Sequence, residues 1–92
     1  MATIIIPTPL RKFTDNQAKI TVSGNTIIEA IKDLKNSHPD ILEHLLNDDL
    51  SLKGFIRIYI GEEDINEHQG INSKVNETDI ISIIPAIAGG LN

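Results

Sequence analysis

The stretch FIRIYI, residues 55–60, is the clearest strand signal in this chain. Apolar residues at every second position place its three isoleucines on one face of a strand. Phe55, Arg57 and Tyr59 then lie on the other face. This pattern is typical of a strand with one buried face, so we expect a sheet that is covered on one side.

The segment IISII, residues 80–84, has the same period. It predicts a last strand in which Ile81 and Ile83 face inward, while Ile80 and Ile84 face outward. The uncovered side of the sheet is therefore predicted to expose apolar side chains.

The N-terminal half is predicted to supply two more strands and the helices. Residues 3–6 and 19–23 are short β-branched or alternating runs, which indicate the first and second strands. Thr26 and Glu29 have the spacing of a capping box, in which each side chain accepts the other residue's backbone N–H. A short second helix is predicted over 39–47, which begins with a proline.

A short return segment that begins at Ile65 follows the acidic turn at 61–64. The element order is then β-β-α-(α)-β-β-β, which in so short a chain indicates an α+β fold with the helix on one sheet face. This is the order of a β-grasp fold, a mixed sheet of four to five strands packed on one main helix. The residues predicted to form its core are Ile20, Val22, Ile27, Ile31, Leu34, Ile56, Ile58, Ile81 and Ile83.

The composition excludes some classes of function and makes others unfavourable. The 92 residues are 40% hydrophobic and 23% charged, which indicates one globular domain. The chain has no cysteine, which excludes disulfides, thiolate metal sites and cysteine nucleophiles. A net charge of -5 disfavours nucleic-acid or anionic-membrane binding, because both need clustered lysine and arginine. No signal peptide and no apolar run of about 20 residues is readable, so the expected location is cytoplasmic.

No side chains form a recognisable catalytic or metal-binding set. His38, His44 and His68 lack the close pairing of zinc ligands, and the acidic residues at 62–67 lack the ordered spacing of a calcium loop. No nucleophile triad and no glycine-rich phosphate loop is readable. We therefore expect no bound metal or cofactor, no catalytic residue of its own, and a protein that is not a stand-alone enzyme.

The C-terminal stretch IIPAIAGGLN, residues 83–92, carries the functional prediction. Its small residues stabilise no core, and glycine loses the most entropy when ordered. A frayed terminus is one interpretation. The other is an arm without Cβ atoms that threads a narrow channel and delivers a carbonyl carbon to a buried site. We divide the chain into a β-grasp domain, 1–88, and a flexible tail, 89–92, with a removable Leu-Asn.

Four segments fall where a known family has its landmarks: PTPLRKFT after the first strand, SGNTIIEAI at the helix start, FIRIYIGEEDI over the hairpin and TDIISIIPAIAGG at the end. With them the chain resembles the ThiS/MoaD family of sulfur carriers, which are ubiquitin-like β-grasp proteins. The LR and PAIAGG forms are most similar to the branch that serves cysteine biosynthesis.

The resemblance implies a mechanism at Gly90. In the family, an E1-like enzyme uses ATP to adenylate the carboxylate of the last glycine, and a sulfur donor converts the acyl-adenylate to a thiocarboxylate. A sulfur-accepting enzyme then takes the sulfur. Carried to this chain, Gly90 is the adenylation and thiocarboxylate site, and Gly89 and Ala88 form the slender tail before it.

One departure from the family pattern is that Leu91 and Asn92 follow Gly90. Either the Gly90–Leu91 bond is the processing site, cut to free the Gly90 carboxylate, or the chain has lost the activity. A JAMM-type zinc metalloprotease is the natural candidate, since such enzymes partner related carriers in the cysteine branch.

The resemblance favours a sulfur carrier for cysteine or a related sulfur metabolite, but it leaves two alternatives. One is a ubiquitin-like protein modifier that forms isopeptide bonds through Gly90. The other is the small subunit of a molybdopterin synthase.

The outward apolar residues predict where partner proteins dock. Phe55, Tyr59, Ile80 and Ile84, together with Ile87 before the glycines, are expected to form an apolar patch beside the tail. The alternative is that they are ordinary scattered apolar residues of a protein surface.

Overall fold

The computed structural model describes residues 1–49 and 51–85. In chain order its main elements are β1 (Ala2–Ile5), β2 (Lys19–Val22), α1 (Ile27–Ser37), β3 (Ile56–Ile60), β4 (Glu63–Asp64) and β5 (Ile80–Pro85). The predicted α+β order is confirmed. The domain boundary predicted at residue 88 lies outside the described residues.

The strands form one five-stranded sheet in the order β2-β1-β5-β3-β4. β1 and β5 pair in parallel, and the other neighbouring pairs are antiparallel. The last strand is therefore the central one, with β1 on one side and β3 on the other. The predicted mixed sheet, packed on one main helix, is confirmed.

The core lies between α1 and one face of this sheet, as the alternation predicts. Ile58 and Ile83 are directly opposite each other in the β3–β5 pair, and they are 0% and 3% exposed. Every residue of the predicted core is buried. Burial of each such side chain contributes about 1.5–3 kcal/mol, so the register of β3 against β5 is strongly specified.

The N-terminus of α1 is capped much as predicted, with one difference. The backbone N–H of Glu29 donates to Thr26 Oγ1 at 3.3 Å. The Glu29 carboxylate, however, accepts the backbone N–H of Asn25 at 2.8 Å rather than that of Thr26. Thr26 forms an isolated bridge with Lys74, and this pairing fixes how the backbone approaches the helix. The reciprocal bond of the capping box is therefore shifted by one residue.

The predicted second helix is wrong in type and length. Pro39–His44 is a 3₁₀-helix, in which Ile41 is buried. Leu45 after it is also buried, while Leu42 is only partly buried. A leading proline indicates a helical turn but does not decide between 3₁₀ and α hydrogen bonding. Within the described residues, no helix has the length and apolar character needed to cross a membrane.

The return strand also comes earlier in the sequence than predicted. The chain reverses at Gly61, whose φ of 62° lies in the left-handed region that favours glycine. Glu63 therefore already pairs with Ile60, and the second strand of the hairpin is complete at Asp64. Ile65, where the return segment was expected, instead begins a 3₁₀-helix and is buried.

Candidate functional site

The central strand β5 leads toward the predicted functional tail. Its last residue, Pro85, pairs with Ile56 at the start of β3. The described residues stop there. The predicted tail and processing residues lie outside them, and so does one predicted docking residue; these are Ile87, Ala88, Gly89, Gly90 and Leu91.

The remaining predicted docking residues lie on the side of the sheet away from the core. Phe55, Ile80 and Ile84 are 48%, 45% and 44% exposed, and Tyr59 is half-buried. The alternation of β3 and β5 directs Tyr59, Ile80 and Ile84 outward, and Phe55 is exposed in the turn just before β3. The three strand residues therefore lie on the outer face of the sheet, which includes the strand that leads to the tail. Their role in docking stays a prediction.

This outer face contains an ion pair that the sequence interpretation missed. Arg57 Nη1 donates to Asp64 Oδ2 across 3.1 Å, joining β3 to β4. The Arg57 side chain is 55% exposed, whereas that of Asp64 is only 11% exposed. Asp64 Oδ1 also accepts the backbone N–H of Asn66 at 2.9 Å, which caps the following 3₁₀-helix. The sequence pattern predicts an acidic turn at 61–64, whereas Asp64 is buried and belongs to β4. The sequence does contain a signal for this ion pair, because Arg57 faces outward on a strand that is followed directly by an acidic turn.

The histidines have packing and pairing roles in the structure. The His44 ring stacks on Phe13 with centroids 4.1 Å apart, which joins the 3₁₀-helix Pro39–His44 to an earlier 3₁₀-helix, Thr8–Phe13. His68 Nε2 lies 2.6 Å from Glu63 Oε1 at the surface. Within the described ranges, no three histidine or acidic residues converge on a point where they would hold a metal ion.

One carboxylate outside the outer face has a perturbed pKa. The hydroxyl of Ser51 donates to Asp49 Oδ1 at 2.6 Å, and the Ser51 backbone N–H donates to the same oxygen at 3.0 Å. These bonds favour the charged form and hold the pKa of Asp49 below its usual range. The carboxylate is exposed and organises the loop before β3.

Comparison with known proteins supports the resemblance to the sulfur-carrier family over nearly the whole chain. The model of the ThiS family matches residues 4–90. Sulfur carrier protein CysO of Mycobacterium tuberculosis (strain ATCC 25618 / H37Rv) is 34% identical over 90 residues, which span 96% of this chain and 97% of that protein.

Two solved structures extend this similarity to the fold. One is a chain in the crystal structure of the Amycolatopsis orientalis BexX/CysO complex, with a TM-score of 0.92 and 33% identity, covering 98% of this chain and 100% of that chain. The other is Mycobacterium tuberculosis CysO, described as an antigen, with a TM-score of 0.89 and 31% identity, covering 95% and 100%. The predicted ubiquitin-like β-grasp fold is confirmed. The chain belongs to the ThiS family, and its homologues are sulfur carrier proteins rather than enzymes.

Proposed function

We propose that this chain is a sulfur carrier of the CysO type whose working group is the Gly90 carboxylate. The observation that carries the proposal is the extent of the family match, which runs from residue 4 through the sheet and helix and stops at Gly90. The names of the relatives support a carrier of sulfur, and the cysteine-branch features of the tail support delivery into cysteine or a related sulfur metabolite.

The chemistry needs only a positioned carboxylate from the carrier. A Gly90 carboxylate oxygen attacks the α-phosphorus of ATP, and pyrophosphate leaves. A sulfide equivalent from a sulfur donor then attacks the carbonyl carbon of the acyl-adenylate, and AMP leaves. The product is a thiocarboxylate, whose sulfur passes to an accepting enzyme. All groups other than the carboxylate belong to the E1-like enzyme, the donor and the acceptor.

Cleavage after Gly90 must come before adenylation. The Gly90 carbonyl is part of a peptide bond to Leu91, and an amide oxygen is a poor nucleophile toward phosphorus. A peptidase that hydrolyses this bond releases the reactive carboxylate. A JAMM-type zinc metalloprotease, in which a metal-bound water attacks the amide carbonyl, is our candidate.

The outer sheet face is the proposed docking surface for the activating enzyme. Its exposed large apolar residues are Ile80 and Ile84 of β5, with Phe55 in the turn before β3. Burying them against a partner contributes about 25 cal/mol per Å² of apolar area. Docking there holds the end of β5, and so the segment that follows it, at a defined position relative to the enzyme.

The test compares the full-length chain with a version that ends at Gly90. Each is incubated with the E1-like enzyme of the same organism, ATP and a sulfide source, and analysed by intact-protein mass spectrometry. We expect the version ending at Gly90 to exchange one oxygen for sulfur and the full-length chain to remain unchanged. The cleavage requirement is wrong if the full-length chain is thiocarboxylated without losing residues. The carrier function is wrong if neither version is adenylated, and isopeptide adducts on lysines in its place would favour a protein modifier.

A further inference from the structure

The outer sheet face has a different charge balance from the rest of the chain. The whole sequence has 13 acidic and 8 basic residues. From the strand register, the outward positions are Thr3, Ile5, Lys19, Thr21, Arg57, Tyr59, Asp64, Ile80, Ser82 and Ile84. Asp64 is the one acidic side chain of this set, and it is already paired with Arg57. With Lys19 and Arg57 against the single carboxylate of Asp64, these outward positions lack the acidic excess of the whole chain.

Asp64, on the neighbouring strand β4, holds the Arg57 side chain in place. Asp64 is buried and is itself fixed by the Asn66 backbone N–H, so it anchors one nitrogen of the guanidinium. Within the described residues, the bond to Asp64 is the only hydrogen bond that the Arg57 side chain makes to protein. A guanidinium has five N–H donors, so most of them remain for another group. Because the side chain is 55% exposed, a group from outside the chain has access to them.

Apolar side chains border Arg57 on the outer face, whereas its other side borders an open hollow lined by polar residues that include Asn66 and Gln69. Ile84 is directly opposite it in the β3–β5 pair, and Tyr59 is the next outward residue of β3. Phe55 is exposed just before the strand begins. A partner that covers these side chains removes water from the apolar side of Arg57. An ionic hydrogen bond is stronger in such a place than in open solvent, because the local dielectric falls.

We propose that Arg57 is the specificity-determining cation of this face and binds an aspartate or glutamate carboxylate on a partner protein, at the edge of an apolar contact. Asp64 is a positioning residue that fixes the guanidinium. The proposal rests on the proposed function, since the partner we assign is the E1-like activating enzyme. It adds that the enzyme's docking surface presents a carboxylate at the edge of an apolar area.

A second copy of this chain does not fit as the occupant. In a symmetric pairing of two outer faces, like charges approach each other, because each face presents Arg57 and Lys19. The net charge of -5 adds a general repulsion between copies. An acidic and apolar partner surface satisfies both the ionic and the apolar parts of the face.

The experiment is a calorimetric titration of the activating enzyme with the version that ends at Gly90. Arg57→Gln is expected to weaken binding by about 10- to 100-fold, as for loss of a hydrogen bond to a charged group. Arg57→Lys is expected to recover only part of this, because the planar two-pronged donor is lost. The matched control is Lys35→Gln, which removes the same charge from the exposed side of α1 and is expected to change the Kd by less than about twofold.

Two further measurements separate binding from folding. Arg57→Gln leaves Asp64 without its cation, so the double variant with Asp64→Asn removes both charges and is expected to show the same loss of affinity. Thermal unfolding confirms that each variant is folded at the titration temperature. Raising salt from about 50 to about 500 mM should weaken the unmodified chain more than Arg57→Gln, because screening acts on the ionic contact.

The outcomes distinguish the two proposals. If the unmodified version is adenylated and binds, but Arg57→Gln and the double variant bind within about twofold of it, the carboxylate contact is wrong and the carrier function stands. The contact is also wrong if sedimentation shows that the face is occupied by a second copy. If the unmodified version neither binds nor is adenylated, the proposed function fails, and the assignment of this partner fails with it.

Discussion

A Cβ placed on Gly24 would lie 2.9 Å from the Cβ of Glu29, closer than real Cβ atoms approach. The φ of Gly24 is also 133°, a conformation that other residues rarely adopt. Gly24→Ala is therefore expected to lower the free energy of unfolding by roughly 1–3 kcal/mol, measured by urea denaturation. The control is Gly54→Ala, where no atom lies within 4 Å. We expect a change within about 1 kcal/mol there, and similar losses at both glycines would contradict this explanation.

Ile58→Ala is expected to destabilise the domain by about 2–5 kcal/mol, because it opens a cavity at a fully buried position between β3 and α1. Urea denaturation again measures the loss. Ile84→Ala on the outer face serves as the matched control and should cost less than about 1 kcal/mol, since the side chain is 44% exposed. Equal costs would mean that the two faces of the sheet do not differ in packing.

Many of the strands and core residues are predictable, because they depend on the short-range periodicity of apolar residues. The alternation in β3 and β5 assigns Ile58 and Ile83 to the core without knowledge of the pairing. The Arg57–Asp64 bond and the stacking of Phe13 on His44 join residues that local patterns treat separately. Their contacts depend on where Gly61 reverses the chain and on how two 3₁₀-helices pack, and neither is set by a local period.

Phe55→Asp and Ile84→Asp are each expected to weaken binding of the version ending at Gly90 to its activating enzyme by about tenfold or more. Each replaces an exposed apolar contact by a charge that would be buried without a partner. Asn36→Asp adds the same charge on α1, in the layer opposite the outer face, and should leave the Kd within about twofold. Calorimetric titration makes the comparison. An unchanged affinity for both outer-face variants would remove the docking surface from the proposal.

Gly90→Ala, made in the version ending at residue 90, is expected to slow thiocarboxylate formation by about 10- to 100-fold. A methyl group next to the carboxylate displaces the reacting atoms from their required alignment. The rate is followed by mass spectrometry, with Asn36→Ala as a control that should react like the unmodified version. Equal rates for Gly90→Ala would mean that the enzyme does not require glycine at this position.

Asp49 is expected to titrate below the usual range of aspartate, because Ser51 donates two hydrogen bonds to its carboxylate. A lowered pKa means that this interaction stabilises the fold above the ordinary aspartate pKa and is lost as the pH falls through the lowered value. Ser51→Ala should raise the pKa of Asp49, measured by NMR titration of its carboxyl carbon. Ser37→Ala, at the end of α1, should leave it unchanged. The assignment is wrong if both variants titrate alike.

For the candidate site, the sequence predicts the tail but not the surface that positions it. Small residues at 88–90 indicate a threading arm, but they do not specify which surface orients it. That surface depends on Ile84 being placed opposite Arg57 and Ile80 beside Gly61, because β5 inserts between β1 and β3. A strand-by-strand interpretation finds each outward residue but not their grouping around Arg57.

The central position of β5 has a mechanical consequence. A force that draws on Pro85 along the strand is opposed on both sides at once, by the ladders to β1 and to β3. Backbone hydrogen bonds run across the strands, so such a load shears many of them together instead of unzipping them one by one. An edge strand, with a ladder on one side only, would yield at a lower load. A partner that pulls on the segment after Pro85 therefore drags the sheet and its helix as one rigid body and does not strip the strand out.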